Sequence, residues 1–381
     1  MMLGIVLHGA MFYLTSPPPA MPGFVDRNNS ALFDVVMAFI HSFRMPTFFV
    51  VAGFFTALLV EKRGLSATYK DRARRVLAPF VAGFVTIMPL TLLFMVDFQL
   101  AAGYGSHRLW PDLRALQSLD RDMRAMGAPQ GQIPVLHLWF LYYLCYFYLL
   151  IPVCRFLVGG SLKYEARVRR ALESPLTLVL LVLHAAATLW PYHGGQVYEG
   201  FLFLKPHLPS LIYYGSFFVF GYFLYHYRDF LRFLARRVPA WGLLSGFLFP
   251  LATWASALDN AARGASVELH LAAVLANAAC TWALICLFIG GTQRWFDRES
   301  PWIQYVSQSS YWVFLVHMPL VAFAGWWLVQ FDFPSVLKFL LVCAFTSVVA
   351  FLTFHYWVQK TWLSTFLHGR RFHLAWPWRH G

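Results

Sequence analysis

The chain reads as an all-α, polytopic transmembrane helical bundle, and three observations predict it. Of 381 residues, 59% are hydrophobic and 12% charged, about half the charge of an ordinary globular domain. Apolar runs of about 18–25 residues, enough to cross the hydrocarbon core of a bilayer, recur along the whole length. The basic residues gather in alternate short segments between those runs, as membrane topology requires. A mean hydropathy of +0.56 agrees. The formal net charge of +13 would suit a nucleic-acid partner, but its confinement to inter-span loops excludes that class.

Ten spans are predicted, at about 1–14, 31–60, 76–97, 137–158, 175–191, 208–226, 240–257, 269–291, 305–330 and 335–357. The first is short: it makes about 21 Å of helix against a core of about 30 Å. It lacks the basic leader and small-residue cleavage site of a signal peptide. The expectation is that a turn or two of helix precedes Met1, with a re-entrant half-helix as the alternative. The second reads ALFDVVMAFIHSFRMPTFFVVAGFFTALLV, in which only His41 and Arg44 are ionisable after Asp34. A cation deep in an apolar span persists only where it faces the bundle interior and has something to hold. His41 precedes Arg44 by three residues, on the same helix face, and Pro46 removes a backbone donor and predicts a kink.

The third span follows the basic stretch YKDRARRVLAPF, and the fourth opens with HLWFLYYL. The fifth carries His184, read as a packing residue. The sixth, seventh and eighth are apolar without candidate chemistry. The ninth holds Tyr311 and His317 in YWVFLVHMPL, and the tenth has Lys338 near its start. With the N-terminus in the cytoplasm, inside segments hold 21 Lys and Arg and outside segments 7. The inverted arrangement breaks the positive-inside rule, so both termini are expected in the cytoplasm.

The longest loop, 98–136, then lies outside. Within it, 111–127 places Leu113, Leu116, Leu119 and Met123 on one face of an amphipathic helix, read as lying on the interface, with a lid as the alternative. Tyr104, Trp110, Trp190, Tyr192 and Tyr198 read as an interfacial aromatic belt. Five cysteines, an odd number without a CxxC, read as packing residues rather than disulfides or a zinc site. No repeat, phosphate loop or long linker divides the chain. Residues 1–381 are expected to form one membrane domain with an outer loop, 98–136, and a cytoplasmic tail, 358–381.

The candidate chemistry lies in the imidazoles and the arginine. His8 sits about 9 Å below the outer end of its span, and Arg44 about 20 Å down the second. His137 opens the fourth span at the outer interface, and His317 is mid-span. A neutral imidazole is the membrane-compatible group that takes a proton near neutral pH. Several at compatible depths beside an arginine point to a site, although each one alone reads as a hydrogen-bonded packing residue.

These blocks resemble the acyltransferase 3 family of integral membrane acyltransferases, in particular its glucan-modifying (OpgC-like) branch. HSFRMPTFFVVAGFF (41–55) resembles that family's second span, LGIVLHGAMFY (3–13) its first, and YKDRARRVLAPF (69–80) the basic entry to its third. HLWFLYYLCYFYLL (137–150) is similar to its fourth-span opening, and YVSQSSYWVFLVHMPLV (305–321) to its penultimate span. The family's first span usually carries an arginine eleven residues before its histidine. Counted back from His8, that position falls before Met1, a second reason to expect the start upstream.

The resemblance implies transfer of an acyl group, acetyl or succinyl, from cytoplasmic acyl-CoA to a hydroxyl of a carbohydrate such as a periplasmic glucan, at a bacterial inner membrane. It implies acyl-CoA as donor substrate and no resident cofactor or metal. His8 matches the family histidine and is the expected base. Arg44 is the expected cation for the developing oxyanion or an anionic donor group. Lys70, Arg72, Arg74 and Arg75 form the expected inside-facing cradle for the CoA phosphates, and also serve as the topology signal. His41, His137, Trp139, Tyr311 and His317 are expected to line the substrate site. An acyl-histidine intermediate is the competing route to direct transfer. A transporter of a small anionic solute would show the same intramembrane Arg and His, and an assembly protein remains the third reading.

Overall fold

The computed structural model describes residues 2–16, 25–105, 135–197, 207–262, 265–296 and 300–372, with the single positions 117 and 204. The predicted amphipathic segment 111–127 falls outside the described residues apart from Gln117. Among the described residues the secondary structure is helical, without strands. Seven helices are long and apolar enough to cross a membrane, two bent pairs raise that to nine, and a shorter apolar helix covers Met2–Tyr13. The chain is an integral membrane protein. Leu340, Phe345, Val348 and Leu352, for example, are exposed on one helix, as expected of a face that meets lipid rather than water.

The chain begins with α1 (Met2–Ala10), continued by a 3₁₀ turn to Tyr13, and then α2 (Ala31–Arg63). The Ser30 hydroxyl caps α2 by accepting from Leu32 N, and Gly64, at φ +77°, ends it. α2 continues through Pro46 as one 33-residue helix; its backbone pairing resumes past the missing donor instead of breaking there. α3 (Leu65–Arg72) passes through a π-turn (Ala73–Leu77) into α4 (Ala78–Tyr104), so the third span starts earlier than its apolar run suggests.

The fourth span is a bent pair, α5 (Trp139–Tyr148) and α6 (Ile151–Leu162), meeting at 57°. α7 (Glu165–Leu172) and α8 (Pro175–Leu189) meet at 73°. α7 buries no residue and is charged, which suits a surface rather than a span. α9 (Leu208–His226), α10 (Asp229–Arg236), α11 (Val238–Ala262) and α12 (Val267–Trp295) follow. α13 (Pro301–Leu328), α14 (Ser335–Thr353), a second π-turn (Phe354–Val358) and α15 (Trp362–His368) complete the described chain.

Two contacts position the site. α2 and α9 cross backbone to backbone: a Cβ on Gly53 would meet the Phe218 carbonyl, and one on Gly221 the Val50 carbonyl. Small residues permit such close approach where no hydrophobic force acts between helices in lipid. α1 packs among α2, α13 and α14, with Phe12 against Gly325 of α13.

A buried ion pair ties the segment after α1 to α14. Lys338 Nζ donates to Asp26 Oδ2 at 2.7 Å, and the two side chains are 0% and 1% exposed. Burial that complete makes loss of one partner far worse than loss of both. Asp26→Ala is expected to destabilise the protein by about 3–5 kcal/mol, and Asp26→Ala with Lys338→Met to recover most of that. Thermal unfolding in detergent reads both, and equal losses in the single and double variants would contradict it.

Candidate active site

Four elements carry the intramembrane histidines and arginine to one place. His8 comes from α1, Arg44 from the middle of α2, His137 from the 3₁₀ turn Leu136–Leu138 that leads into α5, Trp139 from the first residue of α5, and His317 from α13. All five line one enclosed cavity of about 20 Å³, room for about one water. The His8 and His317 ring centroids are 5.3 Å apart, and so are those of His317 and His137. The imidazoles therefore form a row with His317 in the middle. Gly4, one helical turn before His8, leaves the space: a Cβ there would lie 3.5 Å from both Arg44 Nη1 and His317 Nε2.

Hydrogen bonds set the tautomers of two of these rings. His317 Nδ1 donates to the Phe314 carbonyl at 2.7 Å and, more weakly, to that of Val313 at 3.2 Å. Its Nε2 is then the lone-pair atom in the neutral ring, on the side of Gly4 and Arg44. His137 Nε2 donates to the Leu315 carbonyl at 3.0 Å. Its Nδ1 and that of His8 are buried atoms with no hydrogen-bond partner among the described residues. Buried polar atoms are rarely left so without a reason. His137 itself is 6% exposed, buried in the cluster rather than at an open interface. Leu136, just before it, has φ +43°. A non-glycine residue held in that region is strained and is seen where a site demands it; here the turn delivers His137 inward.

A second, larger cavity of about 830 Å³ opens at the basic end of the bundle. Arg63, Arg72, Arg75 and Arg370 stand in its wall, with Tyr148 and Tyr311 among the aromatics. Asp71 pairs with Arg63 at 3.4 Å, Arg72 at 2.7 Å and Arg75 at 3.1 Å, one carboxylate against three guanidiniums. The Tyr311 hydroxyl donates to the Arg75 carbonyl at 2.7 Å. Phe48 and Phe140, rings 6.0 Å apart, line both cavities. They are the partition between the basic chamber and the histidine row.

The acyltransferase 3 family, described as an acyltransferase domain, matches residues 1–355. The chain belongs to this family. No curated protein and no solved structure matches it. The family match accounts for a membrane acyltransferase in general terms, and it ends before α15.

Within this acyltransferase the expected site residues separate into four groups. His8, Arg44, His137, Trp139 and His317 share the inner cavity. Arg72, Arg75 and Tyr311 line the basic chamber; Tyr311 stands about 9 Å along α13 from His317. Lys70 and Arg74 are exposed and do not line it, because residues three apart share a helix face and 70 and 74 fall on another. His41 turns elsewhere: its Nε2 donates to the Val197 carbonyl at 2.6 Å, in a separate small cavity with Tyr214 and Asn277. His184 is exposed on α8.

Sequence reasoning missed Gly4, Phe48, Arg63, His368 and Arg370. Gly4 and Phe48 were within reach, each one turn from a chosen residue on the same face. His368 and Arg370 were not, because a tail carries no periodicity that says what it folds against. Among the described residues no group of three or more His, Cys, Asp or Glu is placed to hold a metal ion.

Proposed function

We propose that this acyltransferase moves an acetyl or succinyl group from acyl-CoA, bound in the basic chamber on the cytoplasmic side, to a hydroxyl of a carbohydrate such as a periplasmic glucan. The observation that supports this most is the pair of cavities, one basic and nucleotide-sized, the other lined by imidazoles and an arginine, with Phe48 and Phe140 in the wall of both. A donor with an anionic head and a neutral thioester arm suits that sequence of surfaces. The arm passes between the two phenylalanines and brings its carbonyl to Arg44. The 21-to-7 distribution of basic residues supports cytoplasmic termini, and the resemblance to the glucan-modifying branch supports an inner-membrane location.

In the reaction, the acceptor hydroxyl gives its proton to His8 and its oxygen attacks the thioester carbonyl. Arg44 holds the oxyanion. The C–S bond breaks as the C–O bond is completed, and the proton on His8 passes to the departing CoA sulfur. His317, fixed by Phe314, lies beside His8 and Arg44 and keeps a lone pair toward the reacting space.

The test is purified protein with labelled acetyl-CoA or succinyl-CoA and a glucan acceptor. Label in the glucan that depends on both substrates is expected. Absence of transfer from either donor, together with coupled uptake of an anion into proteoliposomes, would overturn the reading in favour of a transporter.

A further inference from the structure

The segment after the family match closes one wall of the basic chamber. Thr361 caps α15 by accepting from Leu363 N at 3.3 Å. Gly369, at φ +74°, ends it with its N–H donating to the Thr365 carbonyl at 2.8 Å. The chain then turns back. Ser364 Oγ donates to the Arg370 carbonyl at 2.8 Å, and Phe372 N donates to the Gln359 carbonyl at 2.7 Å. Leu367 and Phe372 are 2% and 8% exposed and belong to the main core. The segment is a docked hook. Gly369 rests on Arg75, where a Cβ would run into the guanidinium, so glycine is required there both for the backbone angle and for the contact.

The hook turns chemistry into the chamber. The His368 ring stands edge-on to Tyr311 at 5.9 Å, and the Arg370 guanidinium lies over the Phe372 ring at 5.0 Å. Arg370 is exposed and has no carboxylate partner among the described residues. Arg63, Arg72 and Arg75 by contrast share Asp71. Two buried polar atoms in the chamber wall, Gln308 Oε1 and His368 Nε2, have no hydrogen-bond partner among the described residues. Burial first, then Arg75 and Arg370, push the His368 imidazole down to about 4. It is therefore neutral near pH 7 and offers a hydrogen bond rather than a charge. The chamber wall holds four guanidiniums against one carboxylate, with a polar rim short of partners.

We propose that the hook 361–372 is part of the donor site, with Arg370 and His368 binding a phosphate group of the nucleotide end of acyl-CoA. This rests on the acyl-CoA reading above. A guanidinium offers a planar fork that a phosphate accepts in two parallel bonds, and a cation with no competing carboxylate loses none of that capacity to an internal pair. Phe48 and Phe140 line this chamber and the histidine cavity alike, and no hook residue lines the latter, which sets the phosphates at the hook and the acyl arm toward the phenylalanines. A phospholipid headgroup carries the same anionic chemistry, and the test is arranged to separate the two.

The full chain is assayed in nanodiscs of zwitterionic lipid, with acetyl-CoA or with acetyl-pantetheine, which has no phosphate. Arg370→Ala is expected to raise KM for acetyl-CoA about tenfold, the effect of one charged hydrogen-bonding group, with kcat within about twofold. Its KM for acetyl-pantetheine is expected to stay as in the unaltered protein. Arg370→Lys is expected to restore part of the loss, and His368→Gln to raise KM for acetyl-CoA by about threefold. An unchanged KM in Arg370→Ala, or an equal rise with the phosphate-free donor, overturns the proposal and leaves the hook a packing element. A rise seen only when anionic lipid is added assigns Arg370 to the headgroup and overturns it too. If the unaltered protein transfers nothing, the function proposal fails. Calorimetric titration of CoA itself into both proteins then decides the binding site separately: weaker binding to Arg370→Ala supports the hook, and equal or absent binding overturns it.

Discussion

Replacing His8 with alanine is expected to lower acyl transfer by about 10²–10⁴-fold, the usual contribution of a positioned base. The loss should fall on kcat, because His8 acts on the acceptor proton and lies beyond the Phe48–Phe140 partition from the donor chamber. CoA binding should persist. The imidazole leaves next to the cavity, where His8 Nδ1 has no partner among the described residues, so its removal breaks no hydrogen bond at that atom and thermal unfolding should barely change. Single-turnover measurement without acceptor adds a second readout. Direct transfer predicts no labelled protein when donor is given alone. Label retained by the unaltered protein and lost in His8→Ala would instead establish the acyl-histidine route. A variant with near-full activity would remove His8 from the mechanism.

Arg44→Ala is expected to reduce kcat by about 10²–10³-fold, the cost of losing one oxyanion donor. The residue is 6% exposed in the middle of a 33-residue helix. A guanidinium kept at that depth supplies charge to a reaction that water does not reach, where it acts more strongly than at a surface. Arg44→Lys should recover little. The lysine keeps the charge but replaces a planar fork with a compact ammonium on a different stem, so it cannot reproduce the approach of Nη1 to the space above Gly4. Because Arg44 is buried, unfolding temperature and CoA affinity are measured alongside. A folded Arg44→Ala protein that binds CoA and transfers at an undiminished rate would refute the role.

The spans were legible because their cause is local. Each helix crossing lipid must satisfy its own backbone hydrogen bonds and present an apolar surface over a fixed length. A sliding reading of the chain therefore finds α2, α9, α11, α12, α13 and α14 within a few residues. It fails where length is supplied by something other than an apolar run. The basic stretch from Leu65 is helical although its composition is loop-like. The fourth span bends at Leu149–Leu150, just before Pro152 in the first turn of α6; the continuous apolar run hides a break that the missing proline donor marks. Arg44 was legible as well, because a lone cation in oil has few explanations.

Partners were less legible, because periodicity gives a face and never says what the face meets. His41 shares a side with Arg44, yet it serves the Val197 carbonyl in another cavity. Arg72 and Arg75 reach the basic chamber while Lys70 and Arg74, equally basic and equally close in sequence, stay outside it.

What this sequence determined by itself is a helical membrane protein with an intramembrane arginine and histidines, since hydropathy, span length and charge placement are sums over neighbours in the chain. What only the tertiary structure decided is the company those residues keep: three imidazoles in a row beside Arg44, two phenylalanines between two chambers, and a C-terminal hook in the wall of the larger one. Those arrangements join positions up to several hundred residues apart. They are set by how helix faces pack and rotate against one another, a property of the assembled bundle that no single helix carries.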